Sequence, residues 1–267
     1  MGFDFCSFSS GSNGNCYLIR SESVAILIDA GIGGRRIWEG LQRTGTDPGA
    51  LRALLLTHEH SDHIRGLASL LKKSGDMAVY ANENTWGAIC AAAKATAKGR
   101  IRHFVTGEGF TVGDISVKTF AVSHDAAEPV GYTLRCGDRQ ISVVTDTGCV
   151  DDRLFAEIRG ADTLILESNH DEDMLKYGKY PWFLKRRVLG NEGHLSNAAA
   201  ADIVLRLLRA GEKKRRVLLA HLSRENNLPE TALRTVRNIL EAHRDSVGAN
   251  LHLDAIPRDE IGLLYEI

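Results

Sequence analysis

Short apolar runs separated by polar turn clusters dominate the N-terminal part of the chain. FDFCSFSS, NCYLIRS and VAILIDA are rich in apolar, aromatic and β-branched residues. Glycine, serine and asparagine lie between them, so the pattern predicts an antiparallel meander with SGSNGN as its first turn. A helical period follows near 33–44, then the apolar strand LRALLLT. Residues 64–74 and 82–98 read as helices, the second rich in alanine. Strands return at ISVKTFAV, VGYTLRC and RQISVVT, followed by a helix near 151–159, the strand TLILES and a helix over 196–210. The strand RRVLLAHL, a helix over 229–244 and a strand over 249–255 close the pattern. Strands then helices, twice over, predict an α/β (α+β) chain built as a four-layer αββα sandwich, two sheets with helices on both outer faces. No linker, repeat or low-complexity stretch interrupts it, so residues 1–267 read as a single domain.

The apolar strand LRALLL delivers the densest chemistry in the sequence, THEHSDH. In an extended segment positions i and i+2 point the same way, so His58 and His60 can grip one metal ion. Asp62 and His63 then turn toward a second, with Glu59 and Ser61 facing away. Ions about 3.5 to 4 Å apart are the arrangement used in two-metal hydrolysis. Three more apolar strands end on a nitrogen or oxygen ligand: His124 after ISVKTFAVS, Asp146 after RQISVVT and His221 after RRVLLA. Strand ends that converge on one edge would gather all of these. The expected assignment is His58, His60 and His124 on one ion, Asp62, His63 and His221 on the other, and Asp146 bridging.

Composition narrows the partners. With 33 basic and 34 acidic side chains the chain is no general cationic glove, so a polyanion must be held by a local patch. The best candidate is Lys185, Arg186 and Arg187 beside Tyr180, Pro181 and Trp182: guanidinium groups bind phosphates and an aromatic ring stacks on a base. The run Lys213 to Arg216 reads as the polar lead-in to a buried strand. Cys6, Cys16, Cys90, Cys136 and Cys149 form no C-x-x-C pair, which argues against a disulfide framework or a thiolate zinc site. No secretory signal pattern and no long apolar span is visible, so the expectation is a soluble cytoplasmic protein with no membrane association.

These motifs resemble the metallo-β-lactamase superfamily, whose dinuclear sandwich carries THxHxDH and later ligands of this kind. The third motif, SHDAAEPVGY, is closer to ribonuclease Z than to the glyoxalase or lactamase branches, as are ADTLILES with Glu167 and GHLSNAAAA with His194. SSGSNGNC at the start, NHD at 169–171, the YPW and KRR residues of 180–187 and GHLSN at 193–197 resemble the YycJ (WalJ) group of that superfamily, regarded as DNA-processing exonucleases. The stretch between Asp146 and His221 is too short for the inserted domain of β-CASP nucleases. No Gly/Pro-rich basic arm of the kind that grips tRNA is present. The resemblance therefore implies phosphodiester hydrolysis at DNA ends.

The expected mechanism places a hydroxide between two divalent ions, zinc, manganese or iron, which also neutralise the phosphate oxygens. His194, Glu167 and Asp62 are the expected catalytic groups: His194 protonates the leaving oxygen, Glu167 orients that imidazole, and Asp62 doubles as a ligand. His170 lies near the site by resemblance, with no role assigned. His103, His243 and His252 lack a ligand-bearing strand end. SGSNGN could offer amides to a terminal phosphate, but a hairpin turn is the better reading. The alternative function is hydrolysis of a small thioester or lactone by the same metals, against which GHLSN counts. A redox or merely metal-binding member of the fold is a third reading, against which His60 counts.

Overall fold

The computed structural model describes residues 2–211, 213–243 and 250–267, and the chain divides into two units. The first runs to Ala121 and takes in Ala126–Arg139 and Pro257–Ile267; the second holds Val122–Asp125 and Gln140–Ile256.

In the first unit β1 (Phe3–Ser9), β2 (Cys16–Ser21) and β3 (Ala25–Ile28) form the expected antiparallel meander. Helix α1 (Gly34–Arg43) turns Ile37 and Leu41, four residues apart, into the core. It leads to β4 (Leu51–Leu55), which pairs parallel with β3. All four residues of β3 are buried, as fits a strand covered on both faces. The segment expected to be one helix over 64–74 is instead two short pieces, α2 (Ser61–Ile64) and α3 (Leu67–Leu71). Ala30 explains the break: its N–H donates to His63 O and its carbonyl accepts from Gly66 N.

Next come β5 (Ala78–Ala81), α4 (Glu83–Ala88) and α5 (Ala91–Thr96). The alanine-rich stretch over 82–98 is thus two helices as well, because Ile89 and Cys90 are extended between them. Burial of Ile89, Ala93 and Ala97 in the core overrides helix propensity here. Strand β6 (Ile101–His103) follows, and β7 (Gly109–Val112), β8 (Ile115–Ala121) and β9 (Val130–Cys136) run antiparallel. Strands β5, β6 and β7 are too short to show a period, and the sequence pattern missed them.

Gly31 shows how tightly the first unit is closed. A Cβ there would lie 1.6 Å from Asp62 O and 2.6 Å from Asn15 N. Those two atoms are themselves a hydrogen bond of 2.8 Å, so neither can retreat without breaking the turn that seats Asp62. Gly31→Ala should cost about 3 kcal/mol by overpacking, read as a fall in the melting temperature. An unchanged melting temperature would show that the turn yields freely.

The second unit is a parallel βαβ array: β10 (Arg139–Val144), α6 (Asp152–Ile158), β11 (Thr163–Glu167), α7 (Glu172–Tyr177), α8 (Trp182–Val188), α9 (Asn197–Arg209), β12 (Arg215–Ala220), α10 (Pro229–Ala242) and β13 (Leu251–Ala255). The strands pair in chain order, all parallel. Ser196 caps α9 by accepting from Ala199 N at 3.1 Å, and a proline opens α10. The positions 244 and 249 at the edges of the expected α10 and β13 lie outside the described residues. The chain then returns to the first unit, where β14 (Leu264–Glu266), also missed, pairs antiparallel with β1.

Parallel register places functional residues side by side. Val144 is opposite Leu166 and Glu167 opposite Ala220, so the C-terminal ends of β10, β11 and β12 present Asp146, Glu167 and His221 together. Asp146 and His221 have φ of 55° and 54°, and Asp29 after β3 has 60°. A left-handed residue at the end of a strand turns its side chain out of the pleat, a strain that non-glycine residues hold only when their surroundings enforce it.

Candidate functional site

In the first unit the apolar run of β4 fixes Thr57 and His58 at its end, and His60 begins the single turn of α2 that carries Asp62 and His63. The His58 ring centroid lies 4.6 Å from that of His60 and 4.0 Å from that of His63. Beneath them sits Asp29, fully buried. It accepts from Thr57 N and Thr57 Oγ1, both at 2.9 Å, and from His63 Nδ1 at 2.7 Å. Burial pushes the Asp29 carboxyl up, against the opposing pull of His63 and of the Thr57 hydrogen bonds. The sequence reading did not name Asp29, although it ends the apolar run VAILI as the other ligands end theirs. Asn15, in the SGSNGN turn, donates through Nδ2 to His63 Nε2 at 3.0 Å. Glu59 turns elsewhere and accepts from Ala127 N at 2.9 Å.

In the second unit Asp146, Glu167, His194 and His221 each bring a ligand atom within 4.8 Å of one another. Glu167 is wholly buried and organises the group. Its Oε1 accepts from His194 Nδ1 and from His221 Nδ1, both at 2.8 Å, while Oε2 accepts from Thr147 N at 2.8 Å. Burial alone would raise its pKa, but the ion pair with His194 and the hydrogen bonds of the two imidazoles outweigh it and hold the carboxyl at about 2. His124 donates through Nδ1 to Gly193 O at 3.2 Å, and burial pulls its imidazole below the ordinary range. Asn169 donates through Nδ2 to His221 O at 2.9 Å, which pins the left-handed backbone of that residue.

Each cluster repeats one local device. His63, His124 and His221 each direct Nδ1 to an acceptor, Asp29, Gly193 O and Glu167 respectively, so Nδ1 carries the proton. The other ring edge, Nε2, is then a lone pair: at His124 and His221 it faces Asp146, at 3.8 and 3.5 Å, while at His63 it accepts from Asn15 and lies 3.5 Å from Asp62. A lone pair opposed to a carboxylate is repulsive unless a cation sits between them. This donor set, imidazole nitrogens with carboxylate oxygens and an outer acceptor on each Nδ1, suits a divalent metal ion.

The other expected residues have these surroundings. Lys185 Nζ donates to Lys176 O at 2.7 Å and to Gly178 O at 2.8 Å, closing the end of α7 onto α8. Arg187 pairs with Asp125, the neighbour of His124, with Nη2 to Oδ1 at 3.1 Å. Arg186 is exposed. His170 is buried, neither ring nitrogen has a hydrogen-bond partner, and burial pulls its pKa down to about 4. His103 does end a strand, β6, contrary to the sequence reading, but among the described residues it joins no group of potential metal ligands. SGSNGN is the turn between β1 and β2. No helix among the described residues is long and apolar enough to cross a membrane.

Comparison with known proteins agrees with this chemistry. Residues 25–222 match the family described as the beta-lactamase superfamily domain. The chain is 39% identical to exodeoxyribonuclease YycJ of Bacillus anthracis, over 93% of each protein. It is 38% identical to exodeoxyribonuclease WalJ of Streptococcus pneumoniae, over 100% of this chain and 99% of that one. Among solved structures, the metallo-β-lactamase fold protein YhfI of Bacillus subtilis superposes with a TM-score of 0.72 at 17% identity and covers 100% of both chains. That likeness establishes the fold class read from the sequence, a mixed α/β fold with two sheets packed among helices.

Proposed function

Since this chain belongs to the beta-lactamase superfamily, a match that spans residues 25–222, we propose that it is a dinuclear metal-dependent phosphodiesterase that shortens DNA from its ends. It is an enzyme of the metal-dependent hydrolase type, with the metallo-β-lactamase fold and with relatives named exodeoxyribonucleases. The identity of 38–39% to those relatives over nearly the whole chain is the observation that carries the choice of DNA. The reading takes residues 1–267 as one catalytic domain that works in the cytoplasm.

The assignment is His58, His60 and His124 on one ion, Asp62, His63 and His221 on the other, and Asp146 shared. Two divalent ions bound by these residues would lower the pKa of water and neutralise phosphate oxygens as negative charge develops. The protein does the rest. Asp29, Gly193 O and Glu167 hold the Nδ1 protons of His63, His124 and His221, which presents Nε2 of each as the ligand. His194, side chain 18% exposed where those of His124, Asp146, Glu167 and His221 are 4% or less, is the member of that cluster open to solvent and so to substrate. Its Nδ1–H stays with Glu167, and Nε2 carries the proton delivered to the leaving 3′ or 5′ oxygen. The Glu167 carboxylate fixes the orientation of the ring for that transfer.

Digestion of end-labelled duplex DNA, single-stranded DNA, RNA and a chromogenic phosphodiester, each with zinc, manganese and iron, tests the proposal. Stepwise shortening of DNA is expected. Rapid turnover of a thioester or lactone with no cleavage of any nucleic acid would overturn it.

Lys185, Arg186 and Arg187 are proposed to bind the substrate, with Arg186 as the direct phosphate contact, because Lys185 and Arg187 also hold internal partners. Arg186→Ala should raise KM for DNA, leave kcat for DNA in place, and lower the slope of log affinity against log salt by about one. A loss confined to kcat would show that Arg186 serves the chemistry or the fold instead.

A further inference from the structure

Helices α7 and α8 expose apolar side chains that no core claims. Trp182 is 70% exposed, Phe183 74%, Tyr177 77% and Leu189 55%, values at which a monomer gains nothing from their hydrophobicity. Trp182, Arg186 and Leu189 are spaced i, i+4 and i+7 and therefore form one stripe, with Phe183 three residues before Arg186 beside it. The segment from Met174 to Asn191 holds Lys176, Lys179, Lys185, Arg186 and Arg187 and no acidic residue, in a chain whose net charge is −1. Aromatic rings interleaved with cations are the composition that binds single strands: rings stack on bases while cations follow the phosphates.

We propose that this face is the binding platform for an unpaired stretch of the nucleic-acid substrate, with Trp182 and Phe183 stacking on its bases and Arg186 on its backbone. The proposal rests on the nuclease reading and extends it from the scissile phosphate to the strand behind it. Continuity with the catalytic cluster supports it. Val188 O, at the end of α8, accepts from His194 N at 3.0 Å, and Arg187 holds Asp125 beside His124. A strand lying along the stripe is therefore aimed at His194. Lys185 ties α8 to the last carbonyls of α7, so the two helices present one face. An unpaired strand fits better than a duplex, whose internal base faces are already covered by stacking. A second copy of the chain fits worse, because two such faces would oppose like charges.

The test is the affinity of the full, metal-loaded chain for a fluorescein-labelled phosphorothioate oligothymidine of about twenty nucleotides, enough to cover a single-strand site. Fluorescence anisotropy follows the binding. Trp182→Ala should weaken it about tenfold, Trp182→Ala with Phe183→Ala further, and neither should change the salt slope, since stacking releases no counterions. Tryptophan emission should be quenched on binding in the wild type, because Trp182 is exposed whereas Trp38 and Trp86 are half-buried. Unchanged affinity in the double variant of a chain that still digests DNA would overturn the platform and leave the nuclease reading standing. So would a double variant that loses self-association in sedimentation while keeping its affinity. Weakened oligonucleotide binding in the double variant, with a wild type that cleaves no nucleic acid, would support the platform and overturn the nuclease reading.

Discussion

Asp146→Asn should bind fewer than two divalent ions per chain and lose DNA cleavage entirely. The carboxylate lies at the centre of its cluster: Oδ1 is 3.5 Å from His221 Nε2, 3.8 Å from His124 Nε2 and 4.0 Å from His194 Nδ1. Asparagine keeps the shape and removes the charge, and it turns one of two acceptor oxygens into a donor. A shared carboxylate acts through both oxygens, so the substitution disturbs the pair of ions and not one alone. The side chain is buried and its backbone sits at φ 55°, a conformation that asparagine tolerates better than most residues, so the fold should survive. Elemental analysis of the purified variant, with a digestion assay, gives the answer. Two full equivalents of metal with wild-type turnover would place the bridge elsewhere.

His194→Ala separates the chemistry from metal binding. Among the histidines of the second unit's cluster, His194 is the one whose Nδ1 and not Nε2 is turned toward Asp146, and its side chain is the most open to solvent. Glu167 holds that Nδ1 at 2.8 Å, which orients the opposite ring nitrogen for proton transfer. Loss of such a donor costs about 10² to 10⁴ in rate when the leaving oxygen is a poor one. The variant should keep its metals and its melting temperature, lose DNA cleavage by about that factor, and lose far less on a nitrophenyl phosphodiester, whose leaving group departs without a proton. Loss of metal would make His194 a ligand. An equal loss on both substrates would remove the proton-donor role.

Sequence alone determined what is local. The cluster from His58 to His63 fits in one short segment, so its donors are neighbours whatever the rest of the chain does. The strands that end near Asp146 and His221 announce themselves as apolar runs, because a strand covered on both faces must be apolar throughout, and the one before His124 shows itself by alternation, with Ser116 and Lys118 exposed between buried neighbours. Cap residues such as Ser196 also act within a few positions, and the start of α9 was legible from them.

Tertiary structure decided what depends on distant partners. Strands β5, β6, β7 and β14 are stabilised by pairing and not by any period of their own, and the helix breaks after Ile64 and at Ile89 are imposed by hydrogen bonds from Ala30 and by burial. Asp29 is an unremarkable aspartate in the sequence, and only the parallel pairing of β3 with β4 brings it under Thr57 and His63. Resemblance gives Glu167 only the support of His194; the register of β11 against β12 gives it His221 as a second hydrogen-bond donor. The run Lys185 to Arg187 reads as three equal cations, and folding gives Lys185 two carbonyls, Arg187 a carboxylate and Arg186 the solvent. A hydrogen bond or ion pair joins atoms that chain spacing leaves tens of residues apart, and no periodicity in one strand or helix records which distant group will stand opposite.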